Sequence, residues 1–129
     1  MVEQTFQYAR VERRFLPAVP VTLYHGSQSA AVNALLDSGS DYSILTADVA
    51  RQLGIPIERG VLRPVTGIGG ETKMFVHHAT VKVLENAVPI TACFLKNYSF
   101  PICILGRDFF THHKILFEQK HQRVTIAEA

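Results

Sequence analysis

Short apolar runs separated by turn-forming residues fill most of the chain. Val19, Val21 and Leu23 alternate with Pro20 and Thr22, a polar turn covers residues 25–29, and residues 30–36 form a second apolar run. Alternation with a period of two is typical of a strand with one buried face. The pattern therefore predicts a β-hairpin over residues 19–36.

One short helix is predicted after this hairpin. Thr46 is a suitable N-cap, because its hydroxyl can accept a free N–H of the first helical turn. Val49, Ala50 and Leu53 then share one side of the predicted helix. Gly54 has the place of the residue just past the C-cap, where a left-handed backbone is common. We expect the helix to end there.

Extended segments are predicted over most of the remaining chain. Because residue 56 is proline, residues 55–57 should leave the helix in an extended form. Further predicted elements are a glycine-rich hairpin tip at 65–72, strands at 75–84 and 88–95, an apolar run at 100–105, and a last hairpin of 115–117 with 124–126. Many short strands with one or two brief helices favour a small closed or sandwiched β fold.

Composition limits the class of protein. The 129 residues are 47% hydrophobic and 19% charged, which suits one globular domain and excludes a wholly disordered chain. No window approaches the 18 apolar residues of a membrane span, and the first residues have no signal pattern. A net charge of +2 is too small to imply a nucleic-acid partner. Two cysteines do not form a disulfide framework, so we expect a cytoplasmic location.

The first 16 residues differ in composition from the rest. They are mixed and polar, and Arg10, Arg13 and Arg14 lie close together. This stretch could be an arm, a linker or a leading strand. We expect residues 1–16 to form an N-terminal arm or leader and residues 17–129 to form the domain that carries the site. The basic cluster is expected to be a solvated face.

The first candidate site is an acid at the end of an apolar strand. Asp37 follows Leu35 and Leu36, and an unpaired buried charge there would be costly. The next residues, Ser38, Gly39 and Ser40, can supply hydroxyl and backbone donors to the carboxylate. Strand alternation places Leu35 on the same side as Asp37. The alternative is an ordinary turn in which the aspartate accepts local backbone N–H groups.

Two further segments complete the candidate site. Ile102 and Ile104 share one face of an apolar run that ends at Gly106 and Arg107. A glycine-rich tip, residues 67–70, has Ile68 between Gly67 and Gly69. The alternatives are a buried strand meeting a short helix and a mobile loop without function.

Metal binding is not expected. The adjacent pairs His77–His78 and His112–His113 would face opposite sides of a strand, and Cys93 and Cys103 lack the close spacing of zinc ligands. We expect no metal and no cofactor.

Together, in this order, the three segments resemble the retropepsin family of single-domain aspartic proteases. Residues 35–40 match its acid motif, residues 66–70 its glycine-rich flap, and residues 104–108 its second signature. The resemblance runs from about residue 17 to residue 117. It implies a mainly β, small closed barrel-like fold with one or two short helices, in which residues 17–129 form the protease domain.

The resemblance also implies roles for individual residues. Asp37 would be the catalytic carboxylate, Ser38 would hold the base of the site, and Gly39 would lend backbone groups to acid and substrate. Asp41 and Arg107 occupy positions that form an ion pair in retroviral members; the alternative is two exposed charges. The substrate-binding candidates are Leu35, Ser40, Asp41, Gly67, Ile68, Gly69, Ile102 and Ile104, with Gly106 and Arg107 as structural support.

One acid motif implies two chains. Hydrolysis by an activated water needs a base and an acid, and two adjacent carboxylates that share a proton provide both. The chain has one Asp-Ser-Gly, and Asp108 lacks the Ser-Gly that would make it a second. We therefore expect an aspartic endopeptidase that acts on peptides or proteins as a homodimer and prefers apolar residues around the cut. The alternative is a catalytically silent dimerisation or peptide-binding module.

Overall fold

Strands dominate the structure, a computed structural model that describes residues 2–129. The strands are β1 (Glu3–Gln7), β2 (Ala9–Val11), β3 (Arg14–Leu16), β4 (Ala18–His25), β5 (Gln28–Leu36), β6 (Ser43–Ile44), β7 (Val61–Gly67), β8 (Gly70–Lys82), β9 (Ala87–Leu95), β10 (Cys103–Leu105), β11 (His113–Glu118) and β12 (Arg123–Glu128). The helices are α1 (Ala47–Leu53) and α2 (Arg107–Phe110), with 3₁₀ turns at Ile57–Arg59 and Gln119–His121.

Six strands form a closed ring. Their order is β4-β5-β10-β6-β9-β8, and β8 returns to β4 through the pairing of residues 22–24 with residues 80–82. The contacts of β10 with β5 and of β6 with β9 are parallel, and the other pairings in the ring are antiparallel. Strand β7 pairs with β8 outside the ring. The expectation of a closed, mainly β fold is confirmed.

The alternating pattern of the sequence builds the core. Val19 and Leu23 of β4, Val81 of β8 and Leu105 of β10 are all fully buried. Burying each of these side chains contributes about 1.5–3 kcal/mol to stability. Phe109 of α2 is also fully buried, so this helix is part of the core.

Helix α1 begins and ends where the sequence predicts. The hydroxyl of Thr46 accepts the backbone N–H of Val49 at 3.3 Å. Gly54 adopts the left-handed conformation, with a φ of 68°, at the other end. Val49, Ala50 and Leu53 are buried on the side that faces the ring. Within residues 2–129, neither this helix nor α2 is long and apolar enough to span a lipid bilayer.

Three predicted segments differ in extent. Ile57 begins a 3₁₀ turn instead of continuing the extended segment, and strand β8 starts at Gly70, five residues before the predicted start. The run at 100–105 is a strand only over Cys103–Leu105. Proline at position 101 has no N–H for a sheet, and the phenol of Tyr98 occupies the Ile102 carbonyl at 2.7 Å.

The two ends of the chain lie side by side in a second sheet. Strand β1 pairs antiparallel with β12, and β12 pairs with β11, so that β12 is central. The predicted hairpin of 115–117 with 124–126 is thereby confirmed. The hydroxyls of Thr5 and Thr125 lie 2.8 Å apart across the first pairing. Strands β2 and β3 form a separate ribbon on which Arg10, Arg13 and Arg14 are exposed.

Both cysteine thiols are free and buried. Burial, with a smaller contribution from the Asp108 carboxylate, raises the pKa of Cys93 from 9.0 to about 12. Burial also raises the pKa of Cys103, against hydrogen bonds with Thr46 that lower it. Both thiols therefore stay protonated at neutral pH.

His113, the first residue of β11, has a buried imidazole. Its ring stacks on Phe109 with centroids 4.1 Å apart, and its Nδ1 lies 3.1 Å from the Phe109 carbonyl oxygen. Because a carbonyl only accepts, Nδ1 carries the proton. Burial lowers the pKa of His113 below 6.5, although the bond to Phe109 acts in the opposite direction.

We expect this histidine to make the protein less stable in acid. The unfolded chain binds a proton near pH 6.5, whereas folded His113 resists it, so the free energy of unfolding should fall as the pH drops below about 6.5. Urea denaturation at several pH values measures this slope. His113→Phe should flatten it, and His121→Gln, at an exposed histidine, should leave it unchanged; equal slopes in all three proteins would contradict the assignment.

Candidate active site

Asp37 lies directly after strand β5, with its carboxylate held by one backbone donor. Its own N–H donates to the Leu105 carbonyl at 3.0 Å, which fixes the start of the loop against β10. The Gly39 N–H donates to Oδ1 of Asp37 at 2.9 Å. The carboxylate is half-buried, and Ser38 and Gly39 beside it are exposed. Asp37 is therefore oriented by the fold and accessible from solvent.

Gly39 packs closely against this carboxylate. A Cβ at this position would lie 3.2 Å from Oδ1 of Asp37, closer than most side-chain contacts allow. A larger residue would push the carboxylate away from the N–H that holds it. The Gly39 N–H is thus a donor to the acid, and a role of Gly39 toward substrate stays a prediction.

The segment that follows β10 lies directly against the acid loop, residues 37–43. A Cβ on Gly106 would fall 2.4 Å from the Tyr42 carbonyl oxygen and 2.6 Å from that of Ser40. The next residue, Arg107, donates its backbone N–H to the Ser40 carbonyl at 2.8 Å. Two stretches of backbone thus touch without a side chain between them.

The Arg107 side chain adds two contacts to the same loop. One guanidinium nitrogen, Nη1, donates to the Ser38 carbonyl at 2.8 Å, and Nη2 pairs with the Asp41 carboxylate. The side chains of Arg107 and Asp41 are 52% and 71% exposed, so their charge attraction contributes under about 1 kcal/mol. The expected ion pair between Arg107 and Asp41 forms at the surface of the chain. Its contribution is to position the acid loop.

Asp108 has a structural role that the sequence reasoning missed. Its Oδ1 accepts the hydroxyl of buried Ser43 at 2.9 Å, and its Oδ2 accepts the Thr91 N–H at 2.8 Å. The Ser43 oxygen in turn accepts the Gly106 N–H at 3.3 Å. The carboxylate therefore joins α2, β6 and β9 beneath the acid loop. An acidic residue directly after Gly106 and Arg107 was the available signal.

A half-buried apolar surface lies next to Asp37. Ile104 of β10 is paired in parallel register with Leu35 and in antiparallel register with Ile44. Cys103 and Leu105 are 1% and 0% exposed on the other face, which confirms the predicted alternation. The structure thus brings Leu35 and Ile104 together beside the acid.

The loop before β10 contributes two aromatic residues that the sequence reasoning did not select. The Tyr98 phenol donates to the Ile102 carbonyl at 2.7 Å, and its ring meets Phe100 edge to face at 6.3 Å. Burial raises the pKa of Tyr98, and the charges of Cys103 and Asp37 add to the increase. The bond from Tyr98 therefore holds the Ile102 carbonyl just before β10. The only sequence signal for this contact was the presence of two aromatic residues, Tyr98 and Phe100, close together before β10.

The glycine-rich tip projects away from the rest of the chain. Ile68 is wholly exposed, at 111% of its reference area, between exposed Gly67 and Gly69. Gly70 has a φ of 108°, a conformation that side chains disfavour. The acid loop and residues 104–108 come together in the structure, whereas the tip of the β7–β8 hairpin stands free.

Several histidines have protein partners. Nε2 of His77 lies 2.8 Å from the Ile57 carbonyl oxygen, and Nδ1 of His25 lies 3.2 Å from the carbonyl oxygen of His78. In the part of the chain that the structure describes, no three histidine, cysteine or acidic side chains gather in a group able to hold a metal ion.

The chain is similar to known proteins over most of its length. A family model described as "Aspartyl protease" matches residues 19–109, which include the acid loop and Gly106. No curated protein matches the chain.

Three solved structures have the same fold. A retropepsin-like aspartic protease from Rickettsia conorii has a TM-score of 0.65 at 16% identity, with 98% of this chain and 99% of that chain covered. The retroviral protease-like domain of Ddi1 from Leishmania major gives 0.60 at 22%, with 88% and 90% covered. The EIAV protease, complexed with an inhibitor, gives 0.58 at 24%, with 80% and 92% covered. The retropepsin-like fold expected from the sequence is confirmed.

The contact at Gly106 predicts a specific loss of stability. Gly106→Ala should lower the free energy of unfolding by about 3 kcal/mol, because the added methyl meets two carbonyl oxygens of the acid loop. Gly67→Ala, where nothing lies within 4 Å of the new Cβ, should change it by less than about 0.5 kcal/mol. Denaturant titration compares the two variants, and a Gly106→Ala protein as stable as the parent would refute the close packing.

Proposed function

The chain belongs to the aspartyl protease family, and from this we propose that it is an aspartic endopeptidase that cleaves peptide bonds as a homodimer. The observation that carries the proposal is the geometry of Asp37. Its carboxylate is oriented by the Gly39 N–H and remains accessible, on a loop fixed by Gly106 and Arg107. A carboxylate that served only to complete a turn would not need this support from two segments of the chain.

The second carboxylate is proposed to come from a partner chain. Asp108, the acid within the second signature, has both oxygens engaged by Ser43 and Thr91 inside the fold. It is therefore a poor candidate for proton transfer. Two copies related by a two-fold axis would place their Asp37 side chains together, with Ser38 at the base of the joint site.

The chemistry then follows from two carboxyl groups that share one proton. The ionised Asp37 takes a proton from a water molecule, and the water oxygen adds to the peptide carbonyl carbon. The protonated Asp37 of the partner donates its proton to the carbonyl oxygen. When the carbon–nitrogen bond breaks, the amine nitrogen receives a proton from the first carboxyl group, and the hydroxyl proton returns to the second. Each Asp37 ends in its starting state.

The substrate is proposed to be an extended peptide with apolar side chains around the cut. Leu35 and Ile104, paired beside the acid, and Ile102, on the same face as Ile104, are half-exposed and would line pockets for alternate side chains. The β7–β8 hairpin, with Ile68 at its tip, would serve as a flap over the peptide. Exposed backbone groups at Gly67 and Gly69 would bond the peptide main chain. The Ser40 hydroxyl already donates to the Tyr42 carbonyl at 2.7 Å, so it would contact a peptide only as an acceptor.

The free edge of β11 is the surface proposed for dimerisation. Strand β11 pairs on one side with β12 and ends the three-stranded sheet on the other. Leu116 and Phe117 on this strand are 58% and 37% exposed. An apolar edge strand is a ready partner for a second strand. Because α2 connects β11 to the acid loop, pairing at this edge would bring the two acid loops near each other.

Replacement of the proposed catalytic acid should abolish cleavage. Asp37→Asn is nearly isosteric but cannot exchange the proton, so we expect peptide hydrolysis to fall by a factor of at least about 10³. A mixed peptide library assayed from acid to neutral pH gives the measurement. Asp48→Asn, at an exposed carboxylate of α1, is the control and should retain full activity. Equal cleavage by the Asp37→Asn protein would contradict the proposal, and no cleavage by a correctly dimeric parent would favour the silent binding module.

Mixed dimers test whether each chain supplies one acid. When parent and Asp37→Asn chains are unfolded and refolded together in equal amounts, about a quarter of randomly formed dimers contain two native acids. Activity per parent chain should therefore fall to about half of its value in the unmixed parent. A value unchanged by mixing would indicate that each chain is complete without its partner.

Charge on the β11 edge should weaken the dimer. Leu116→Lys replaces an exposed apolar contact with a cation that repels its two-fold mate, so the dissociation constant should rise at least about tenfold. Sedimentation velocity over a range of concentrations measures the change. Val61→Lys alters an equally exposed residue of β7, 58% in both cases, and should leave dimerisation unchanged. If Leu116→Lys dimerises like the parent, the interface lies elsewhere.

A further inference from the structure

His77 lies where the β7–β8 hairpin joins the ring. The hairpin pairing ends at Val61 with Val76, and His77 is the next residue of β8. His77 itself is paired with Ala92 of β9. It is thus the first residue of β8 beyond the hairpin, at the base of the proposed flap.

The imidazole connects this base to the preceding turn and to the core. Nε2 of His77 is 2.8 Å from the carbonyl oxygen of Ile57, which also accepts the Gly60 N–H at 3.1 Å. Because the carbonyl can only accept, Nε2 carries the proton in this contact. The ring also meets Phe94 edge to face at 5.7 Å, and Phe94 is 2% exposed. One side chain therefore ties the 3₁₀ turn to β9.

The backbone of Gly60 lies in close contact with the His77 imidazole. A Cβ on Gly60 would lie 2.4 Å from Nε2 of His77 and 2.8 Å from the Val76 carbonyl oxygen. Strand β7 begins at the next residue, Val61. The contact between Gly60 and the His77 ring consequently sets the direction in which β7 leaves the ring of strands.

A small change at this base is amplified at the tip. The seven residues of β7 span about 23 Å at the usual rise of a strand. Strand β7 pairs with β8 alone, and six of its seven residues are exposed. Residues 74–76 of β8 also pair with β9, so the part of the hairpin without another strand partner is residues 64–73. A tilt of about 15° where this outer part begins would move the tip by about 4 Å, enough to lose contact with a bound peptide.

We propose that His77 is a positioning residue that sets the angle of the β7–β8 hairpin over the Asp37 site by donating from Nε2 to the Ile57 carbonyl. The inference rests on the proposed function, since the angle has a consequence for activity only if the hairpin covers a substrate. Its structural part concerns the orientation of residues 62–73 and can be measured without a substrate.

The test replaces His77 with each of two amide side chains of different length, glutamine and asparagine. In His77→Gln the side-chain N–H₂ reaches the place of Nε2 and can donate to Ile57, whereas in His77→Asn it falls short. Residual dipolar couplings of backbone amides report how residues 62–73 are oriented and ordered relative to the ring. The glutamine variant should match the parent, and the asparagine variant should show hairpin couplings reduced by about a third. His78→Asn, at the exposed neighbour on the opposite face, is the control and should match the parent.

Kinetics supply a second readout. The asparagine variant should raise KM about fivefold with kcat within about twofold of the parent, and the glutamine variant should restore KM. Thermal unfolding confirms that each variant is folded; if His77→Asn is not, Gly60→Ala, which presses on the ring, takes its place. Two results would overturn the proposal: hairpin couplings in His77→Asn as large as in the parent, or couplings reduced equally in His77→Asn and His77→Gln. Couplings that change as expected in a chain without proteolytic activity would contradict the proposed function and leave the positioning role intact.

Discussion

The site depends on the direct contact between two stretches of backbone, at Gly106 and at the carbonyls of Ser40 and Tyr42. Because Gly106 has no side chain, the start of α2 can reach the acid loop and donate the Arg107 N–H to it. Asp108, two residues on, holds β6 and β9 from below through Ser43 and Thr91. The carboxylate of Asp37 thus gains a fixed position from residues almost seventy positions later in the chain.

The ring of strands explains why these distant residues meet. Parallel pairing of β5 with β10 brings the ends of both strands to one edge, and the acid loop and α2 leave from that edge. The bond from the Asp37 N–H to the Leu105 carbonyl fixes the register there. The sheet of β1, β12 and β11 lies beyond α2 and leaves an apolar edge at β11. One helix therefore connects the proposed catalytic loop to the proposed interface, which would couple assembly to the geometry of the acid.

Local signals in the sequence predicted local structure well. The alternation in 19–36, the Thr46 and Gly54 caps and the two faces of residues 102–105 all follow from the preferences of neighbouring residues, and the structure has each of them. The acid loop and Gly106 were found by their motifs. Features that depend on contacts between distant segments were not predicted: the Asp108 carboxylate beneath the loop, and His77 against Ile57. Hydrophobic periodicity along the sequence does not reveal such side chains, because their hydrogen-bond partners come from distant segments that only the tertiary fold brings together.

The burial of both thiols has a practical consequence for labelling. Cys93 and Cys103 are almost completely inaccessible and stay protonated near neutral pH, so thiol-alkylating reagents should react with neither in the folded chain. A cysteine introduced at an exposed position, such as the tip of the β7–β8 hairpin, would then be the one reactive thiol. A fluorophore or spin label could be attached there with both native cysteines left in place.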